Sequence, residues 1–158
     1  MGIMKRARSA ASGRFAGLKR LKNIWRRKGS AKKTANAVKT TNEQNNKAYI
    51  AKTVTRLKVL RGGKFLEEFA SFRSAHGNVS PGAALARAGV SESDALAILR
   101  RRFFYMELSS LPLAERINPS MRAQKVAMAE ILAKQRLESE YKSEKEAMQE
   151  EAKQKENE

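Results

Sequence analysis

Residues 78–102, NVSPGAALARAGVSESDALAILRRR, carry the strongest local structure signals in the chain. Ser80 is a suitable helix N-cap, and Pro81 fits the first helical position, where its missing N–H costs nothing. Gly89 supplies a turn, and Ser91, followed three residues later by an acidic residue, has the spacing of a capping box. The stretch therefore predicts a helix, a tight turn and a second helix.

The first of these two helices is rich in alanine, so a second helix can cross it closely. The positions expected to be buried at the crossing are Ala84, Ala88, Val90, Ala95 and Ile98. This spacing resembles the helix-turn-helix of DNA-binding proteins, with Gly89 as the turn glycine. Leu85 departs from the resemblance, because the position four residues before that glycine usually carries a small residue.

A longer stretch contains an aromatic helix, a helix start led by asparagine and an Arg-Ala-Gly turn. These elements are Phe65-Leu66-Glu67-Glu68-Phe69, Gly77-Asn78 and Arg87-Ala88-Gly89. Together they resemble the DNA-binding domain of phage small terminase subunits. The resemblance implies a subunit that oligomerises and recognises viral DNA for packaging; the basic N-terminal arm is not part of it.

The second helix would present a face with few base-reading side chains to a major groove. The side chains that distinguish bases are Arg, which pairs with guanine, and Asn or Gln, which pair with adenine. The N-terminal turn of the second helix carries serine and acidic residues instead. The arginines lie at the far end of the helix. The predicted nucleic-acid contacts in this region are Ser91, Ser93, Arg100, Arg101 and Arg102. The alternative is a helical corner used only for packing.

Positive charge is concentrated at the N-terminal end of the chain. The 158 residues include 33 Lys and Arg against 16 Asp and Glu, a formal net charge of +17. Residues 1–42 hold thirteen basic groups and no acidic one, whereas residues 103–158 hold nine and eleven. This gradient predicts attraction of a polyanion at one end. The predicted nucleic-acid-binding residues of this basic arm are Lys5, Arg6, Arg8, Arg14, Lys19, Arg20, Lys22, Arg26, Arg27, Lys28, Lys32 and Lys33.

Hydrophobic spacing predicts an all-α fold: a small helical core containing the helix-turn-helix, a basic N-terminal arm and a long C-terminal helix. Within the arm, an amphipathic basic helix is expected from Phe15 to Lys28, and a linker from Ser30 to Asn46. The predicted domains are arm and linker (1–46), helical core (47–113, with the helix-turn-helix at 80–102) and C-terminal helix with a solvated charged end (114–158).

The core is expected to begin with a helix marked by Tyr49, Ile50, Val54, Leu57 and Leu60. Gly62 and Gly63 would end it, although the β-branched stretch 53–60 could also form a strand. Phe65, Phe69 and Phe72 then share one helical face, which we expect to be the nucleus of the core.

The last helix is expected to begin after an N-cap at Ser120. Its first half has an apolar stripe, and its second half carries spaced ion pairs such as Glu138 with Lys142 and Glu151 with Lys155. Protein partners or self-association are expected through the segment Phe103–Leu113 and through this C-terminal helix.

The sequence argues against an enzyme, a cofactor and a metal site. There is no cysteine, and the single histidine, His76, is expected to interact with the carbonyls of a helix end. No phosphate-cradling glycine loop and no paired carboxylates within core residues are present. No transmembrane segment or secretory signal is expected. The compartment stays undetermined; an intracellular or virion location is favoured, and the Arg-rich, acid-free N-terminus also fits a mitochondrial transit peptide.

Three hypotheses of function remain open. The leading one is a non-catalytic DNA-binding or virion DNA-handling protein of the packaging type, with DNA favoured over RNA. A second is a structural RNA-associated protein, such as an organellar ribosomal component. A third is a membrane-surface or virion assembly protein anchored by residues 14–28, with Trp25 at the interface and the basic face on anionic lipid.

Overall fold

The structure is a computed structural model that describes residues 39–157. Every regular element in this range is helical, which confirms the predicted all-α class. The chain divides into two compact units, Met1–Lys47 and Ala48–Glu158. Residues 39–47 of the first unit are helical. The helices of the second unit are 48–59 (α1), Gly62–Ala75 (α2), Pro81–Arg87 (α3), Glu92–Ser110 (α4), Leu113–Arg116 (α5), Pro119–Arg136 (α6) and Ser143–Glu156 (α7), with a π-helical turn at Leu137–Lys142 between the last two.

The predicted aromatic nucleus is present on α2. Phe65, Phe69 and Phe72 are all buried, and adjacent rings along this face lie 6.1 Å apart. The core that surrounds them includes Val54, Leu57, Leu85, Ile98, Leu99, Ala133, Leu137 and Tyr141. The C-terminal helix therefore contributes to the same core as the predicted helix-turn-helix region.

Helices α3 and α4 each begin at the N-cap that the sequence predicts. The Ser80 hydroxyl accepts a hydrogen bond from the N–H of Ala83, and the Ser91 hydroxyl accepts one from the N–H of Asp94. Gly89 has φ +69°, a conformation that glycine adopts without strain. The five positions expected at the helix crossing are all buried. Leu85, the departure from the pattern, is fully buried as well, so its side chain fills the core.

Two local predictions at the start of the core need correction. Residues 39–46 are helical, so the predicted linker does not extend through them. The prediction relied on the polar composition of this stretch, and helix propensity is a weak guide to structure. The rest of the predicted linker, residues 30–38, lies outside the described range. The strand alternative for 53–60 is wrong, because α1 continues to residue 59. Gly62 has a φ of +58°, in the left-handed region expected of a glycine that ends a helix. It is nevertheless the first residue of α2, because α1 ends at residue 59 and residues 60 and 61 are not helical.

The last long helix begins two residues earlier than predicted. Asn118, not Ser120, is the N-cap, and its side chain accepts hydrogen bonds from the N–H groups of Ser120 and Met121. The helix starts here because Pro119 is favoured at the first helical position, so the residue before it, Asn118, becomes the N-cap. The sequence signal was present in the Asn-Pro pair.

Helix α6 runs antiparallel to α4. Arg100 near the middle of α4 pairs with Glu130, and Glu107 near its end pairs with Lys125 near the start of α6. Ala129 and Ala133 are buried along this contact, where their small side chains permit close approach. The predicted pair of Glu138 with Lys142 is present at 2.6 Å.

The π-helical turn joins the C-terminal helix to α3. The backbone N–H of Gly82 donates to the Glu140 carboxylate at 2.9 Å, and the Tyr141 hydroxyl donates to the carbonyl of Val90 at 2.6 Å. Arg87 pairs with Glu144 one turn further on. These contacts hold α3 and the turn after it against residues that come more than fifty positions later in the sequence.

Candidate nucleic-acid interface

The predicted contacts of the basic arm, Lys5 to Lys33, and the predicted amphipathic helix lie outside the described residues. Their charge is a property of the sequence, thirteen basic and no acidic groups in residues 1–42. The described part of the candidate interface is the start and outer face of α4.

The two serines at the start of α4 are exposed. The Ser91 hydroxyl caps the helix, and it lies 3.2 Å from the Ser93 hydroxyl. Ser93 and Arg100 are seven residues apart, so they share one face of the helix about two turns from each other. This face forms the outward stripe of α4 within the second unit.

Two carboxylates at the start of α4 are each paired with a lysine from another helix. Glu92 lies 3.7 Å from the ammonium of Lys142, and Asp94 forms an ion pair with Lys58. The hydrogen bond from Lys58 holds the pKa of Asp94 below its usual value. Lys58 offsets the repulsion that Asp94 would otherwise exert on a phosphate, whereas Lys142 is shared between Glu92 and Glu138. Sequence reasoning missed this pairing, because the partners come from distant segments.

Arg100 is the arginine of the predicted triplet that faces outward. Its guanidinium donates to the Glu130 carboxylate at 3.0 Å, and Lys134 approaches the same carboxylate at 3.2 Å. The Arg100 and Glu130 side chains are each 44% exposed. An ion pair at such a site contributes little to stability, so Arg100 is able to exchange its partner for a phosphate.

Arg101 is directed inward by contrast. It donates to the backbone carbonyl of Leu60, and its guanidinium lies 5.6 Å from the ring centroid of Phe65 and 5.5 Å from that of Tyr105. Its Nε is buried and has no hydrogen-bond partner among the described residues. The side chain is thus engaged in packing α4 against the end of α1.

Arg102 also lies over aromatic rings, at 5.8 Å from the centroid of Phe69 and 5.4 Å from that of Phe103. Burial lowers the pKa of its guanidinium from the usual value, and nearby Arg73 lowers it further. Consecutive residues of a helix point about 100° apart. The three predicted arginine contacts are therefore distributed over different faces, and the structure brings Arg100 alone onto the outward face with Ser93.

A second basic group, absent from the sequence predictions, surrounds a cavity of about 450 Å³ in the same unit. Arg61, Arg116 and Arg122 line it, together with the first residues of α2. These arginines come from three separate segments. The one local signal was Arg61 beside Gly62-Gly63.

His76 occupies the helix end that was predicted for it. It is the C-cap of α2, and its Nδ1 lies 2.8 Å from the carbonyl oxygen of Phe72. Within residues 39–157, no three His, Cys, Asp or Glu side chains lie close enough to hold a metal ion. The helices of this range all fall short of the continuous apolar length that a membrane span requires.

Comparison of the chain with known protein families, with characterised proteins and with solved structures found no match.

Proposed function

We propose that this chain is a non-catalytic nucleic-acid-binding protein, with duplex DNA as the favoured ligand and DNA handling of the packaging type as its role. The basic arm neutralises phosphates, and the α3–α4 corner docks on the duplex. The observation that carries the proposal is the charge of residues 1–42, which hold thirteen cations and no acidic group. Such an arrangement binds polyanions through release of counterions.

The geometry at the start of α4 supports docking of this corner. Ser91 and Ser93 are exposed there, and hydroxyl groups commonly donate to phosphate oxygens. Asp94 is paired with Lys58, and Glu92 shares Lys142 with Glu138, so the negative charge at the helix start is partly offset. The positive end of the α4 dipole also favours an anion at this point.

Arg100 provides one adjustable cation on the same face. Its pair with Glu130 is solvent-exposed, and Glu130 keeps a second cation, Lys134, when Arg100 moves away. Arg101 and Arg102 contribute mainly by packing on aromatic rings. Specificity would then come from the shape of the duplex rather than from contacts with base edges.

Fluorescence anisotropy with a labelled duplex tests the proposal. If six to ten cations contact phosphate, affinity falls by roughly 10³ to 10⁵ between about 50 and 200 mM salt. A flat salt response contradicts the mechanism. The matched pair Arg100→Gln and Lys153→Gln each removes one positive charge, and we expect only the first to weaken binding by more than about threefold, since Lys153 lies exposed near the end of α7.

The same assay separates duplex DNA from structured RNA. Both ligands carry phosphates, but the A-form groove of RNA does not admit a helix, so α4 would have no docking site there. We expect equal or tighter binding to duplex DNA at equal salt. A preference of roughly tenfold or more for RNA would instead support the structural RNA-associated hypothesis.

A further inference from the structure

The cavity beside the start of α2 combines positive charge with an apolar wall. Its volume of about 450 Å³ lies within the range of small-molecule sites. Arg61, Arg116 and Arg122 supply the charge, and Leu66, Tyr105 and Leu108 supply the apolar surface. Among residues 39–157, no carboxylate lines it. A ligand that matches this surface has an anionic group at one end and a flat or apolar group at the other.

Two of the arginines are held in place by backbone carbonyls. Arg116 donates from Nε to the carbonyl of Leu111 at 2.7 Å and from Nη2 to that of Ser109 at 2.8 Å. Arg122 donates to the carbonyl of Arg116 at 3.2 Å and lies over the Phe104 ring. A guanidinium has five N–H donors, so each retains donors for an anion. Because these side chains are already ordered, binding would cost little conformational entropy.

Arg61 differs from these two in having no ion pair or hydrogen bond to its side chain within residues 39–157. It is exposed at the N-cap position of α2. That helix begins without a side-chain cap and without an acidic residue in its first turn. Its free N–H groups and positive dipole end therefore add to the attraction that the arginines exert on an anion.

We propose that this cavity binds a nucleoside phosphate, with the phosphate on Arg61, Arg116 and Arg122 and the base against Leu66 and Tyr105. A guanidinium matches the geometry of phosphate oxygens, and an aromatic ring stacks on any base. A free nucleotide and an unpaired nucleotide of a strand present the same chemistry here. The inference is independent of the basic arm, because every residue that carries it lies in the second unit.

Substitutions at Gly63 test the cavity without removing a structural contact. A Cβ at Gly63 meets no atom of the described residues within 4 Å, so a larger side chain has room. Gly63→Glu places a carboxylate at the cavity, and an acid in the first turn also favours the helix. Gly63→Gln is the uncharged control of nearly equal size. Both variants are expected to fold with an unfolding temperature at or above that of the unchanged protein.

Isothermal titration calorimetry of the full chain with adenosine monophosphate gives the readout. We expect Gly63→Glu and Arg61→Gln each to weaken binding by about tenfold, because a charge-assisted hydrogen bond is lost or opposed. Lys153→Gln is expected to change it less than threefold, and Gly63→Gln to weaken it less than Gly63→Glu does, because the two side chains fill the same space and only the glutamate is negative. Lys153→Gln removes one charge elsewhere and so reports on non-specific attraction.

Two further titrants distinguish the source of the ligand. A five-nucleotide single strand reports on an unpaired nucleotide of nucleic acid, and inorganic phosphate reports on the anion alone. The proposal is supported if Gly63→Glu and Arg61→Gln weaken the binding of either the mononucleotide or the single strand. It is overturned if neither ligand is affected, or if inorganic phosphate binds as tightly as the mononucleotide.

Discussion

Gly82 lies at a close contact between α3 and the π-helical turn, and an alanine there would push the two apart. A Cβ at this position would lie 2.6 Å from the Cβ of Glu140, 3.0 Å from the backbone nitrogen of Tyr141 and 3.1 Å from the carbonyl oxygen of Arg136. Carbon atoms in contact normally lie about 3.5–4.0 Å apart. Because two of these neighbours are backbone atoms, the clash cannot be relieved by a side-chain rotation.

The expected cost follows from that geometry. Inserting one methyl group into a packed contact costs about 1–3 kcal/mol. Movement of α3 would also weaken the Gly82 N–H bond to Glu140 and the Tyr141 hydroxyl bond to Val90, each contributing about 1 kcal/mol. Alanine recovers about 0.5–1 kcal/mol of helix propensity. We therefore expect Gly82→Ala to lower the free energy of unfolding by about 2 kcal/mol.

Urea denaturation followed by circular dichroism measures this change. Gly63→Ala is the matched control, because its new methyl group meets no atom within 4 Å in the described part of the chain and the φ of Gly63 is not positive. That substitution is expected to raise the free energy of unfolding by about 0.5–1 kcal/mol. If Gly82→Ala were as stable as Gly63→Ala, the close contact between α3 and the π-helical turn would be refuted.

The remaining stability predictions concern three buried or paired groups. Tyr141→Phe removes the hydroxyl that donates to Val90 and is expected to cost about 1–2 kcal/mol in urea denaturation. Burial raises the pKa of Tyr141, so the native state resists its ionisation; the stability advantage over Tyr141→Phe should be complete below about pH 10 and decline as pH rises beyond it. The hydrogen bond from Lys58 lowers the pKa of Asp94, so the ionised carboxylate stabilises the fold above about pH 4, and this stability is lost as the pH falls further. Asp94→Asn should therefore remove this part of the acid dependence of the thermal midpoint. Leu85→Ala should cost about 2–5 kcal/mol by the same urea assay, despite the small residue favoured at this position in the helix-turn-helix pattern; a cost below about 1 kcal/mol would show that Leu85 does not fill the core.

The local signals around residues 78–102 were sufficient to locate α3 and α4. Ser80, Ser91 and Gly89 act through contacts within four residues, so sequence alone specifies them. The aromatic face of α2 was predictable for a similar reason, since three phenylalanines recur with the helical period. Such short-range features are the part of the fold that propensity and spacing determine.

The contacts between α3 and the C-terminal helix could not be predicted in this way. Gly82 and Glu140 are separated by 58 positions, and the π-helical turn that brings Glu140 and Tyr141 to α3 has no local sequence signature. The stripe predicted for the last helix assumed an uninterrupted α-helical period. That period would place Val126 and Met148 on one stripe with Ala133, Leu137 and Tyr141; the first two are exposed, whereas the other three are buried.

The candidate interface was predictable in its charge but not in its geometry. Helical spacing alone indicates that Arg100, Arg101 and Arg102 cannot share one face, and the structure assigns two of them to aromatic packing. The cavity lined by Arg61, Arg116 and Arg122 depends on three chain segments meeting in space. No spacing rule connects those positions.

The most direct test of nucleic-acid binding through the arm is the salt dependence of duplex affinity before and after part of its charge is removed. Each phosphate contact contributes about 0.9 to the slope of log affinity against log salt. The triple substitution Arg26→Gln, Arg27→Gln and Lys28→Gln should therefore reduce the slope by up to about 2.7, whereas replacing Lys153 and Lys155 by Gln should leave it unchanged. An identical slope in the triple variant and the unchanged protein would contradict the assignment of polyanion binding to the arm.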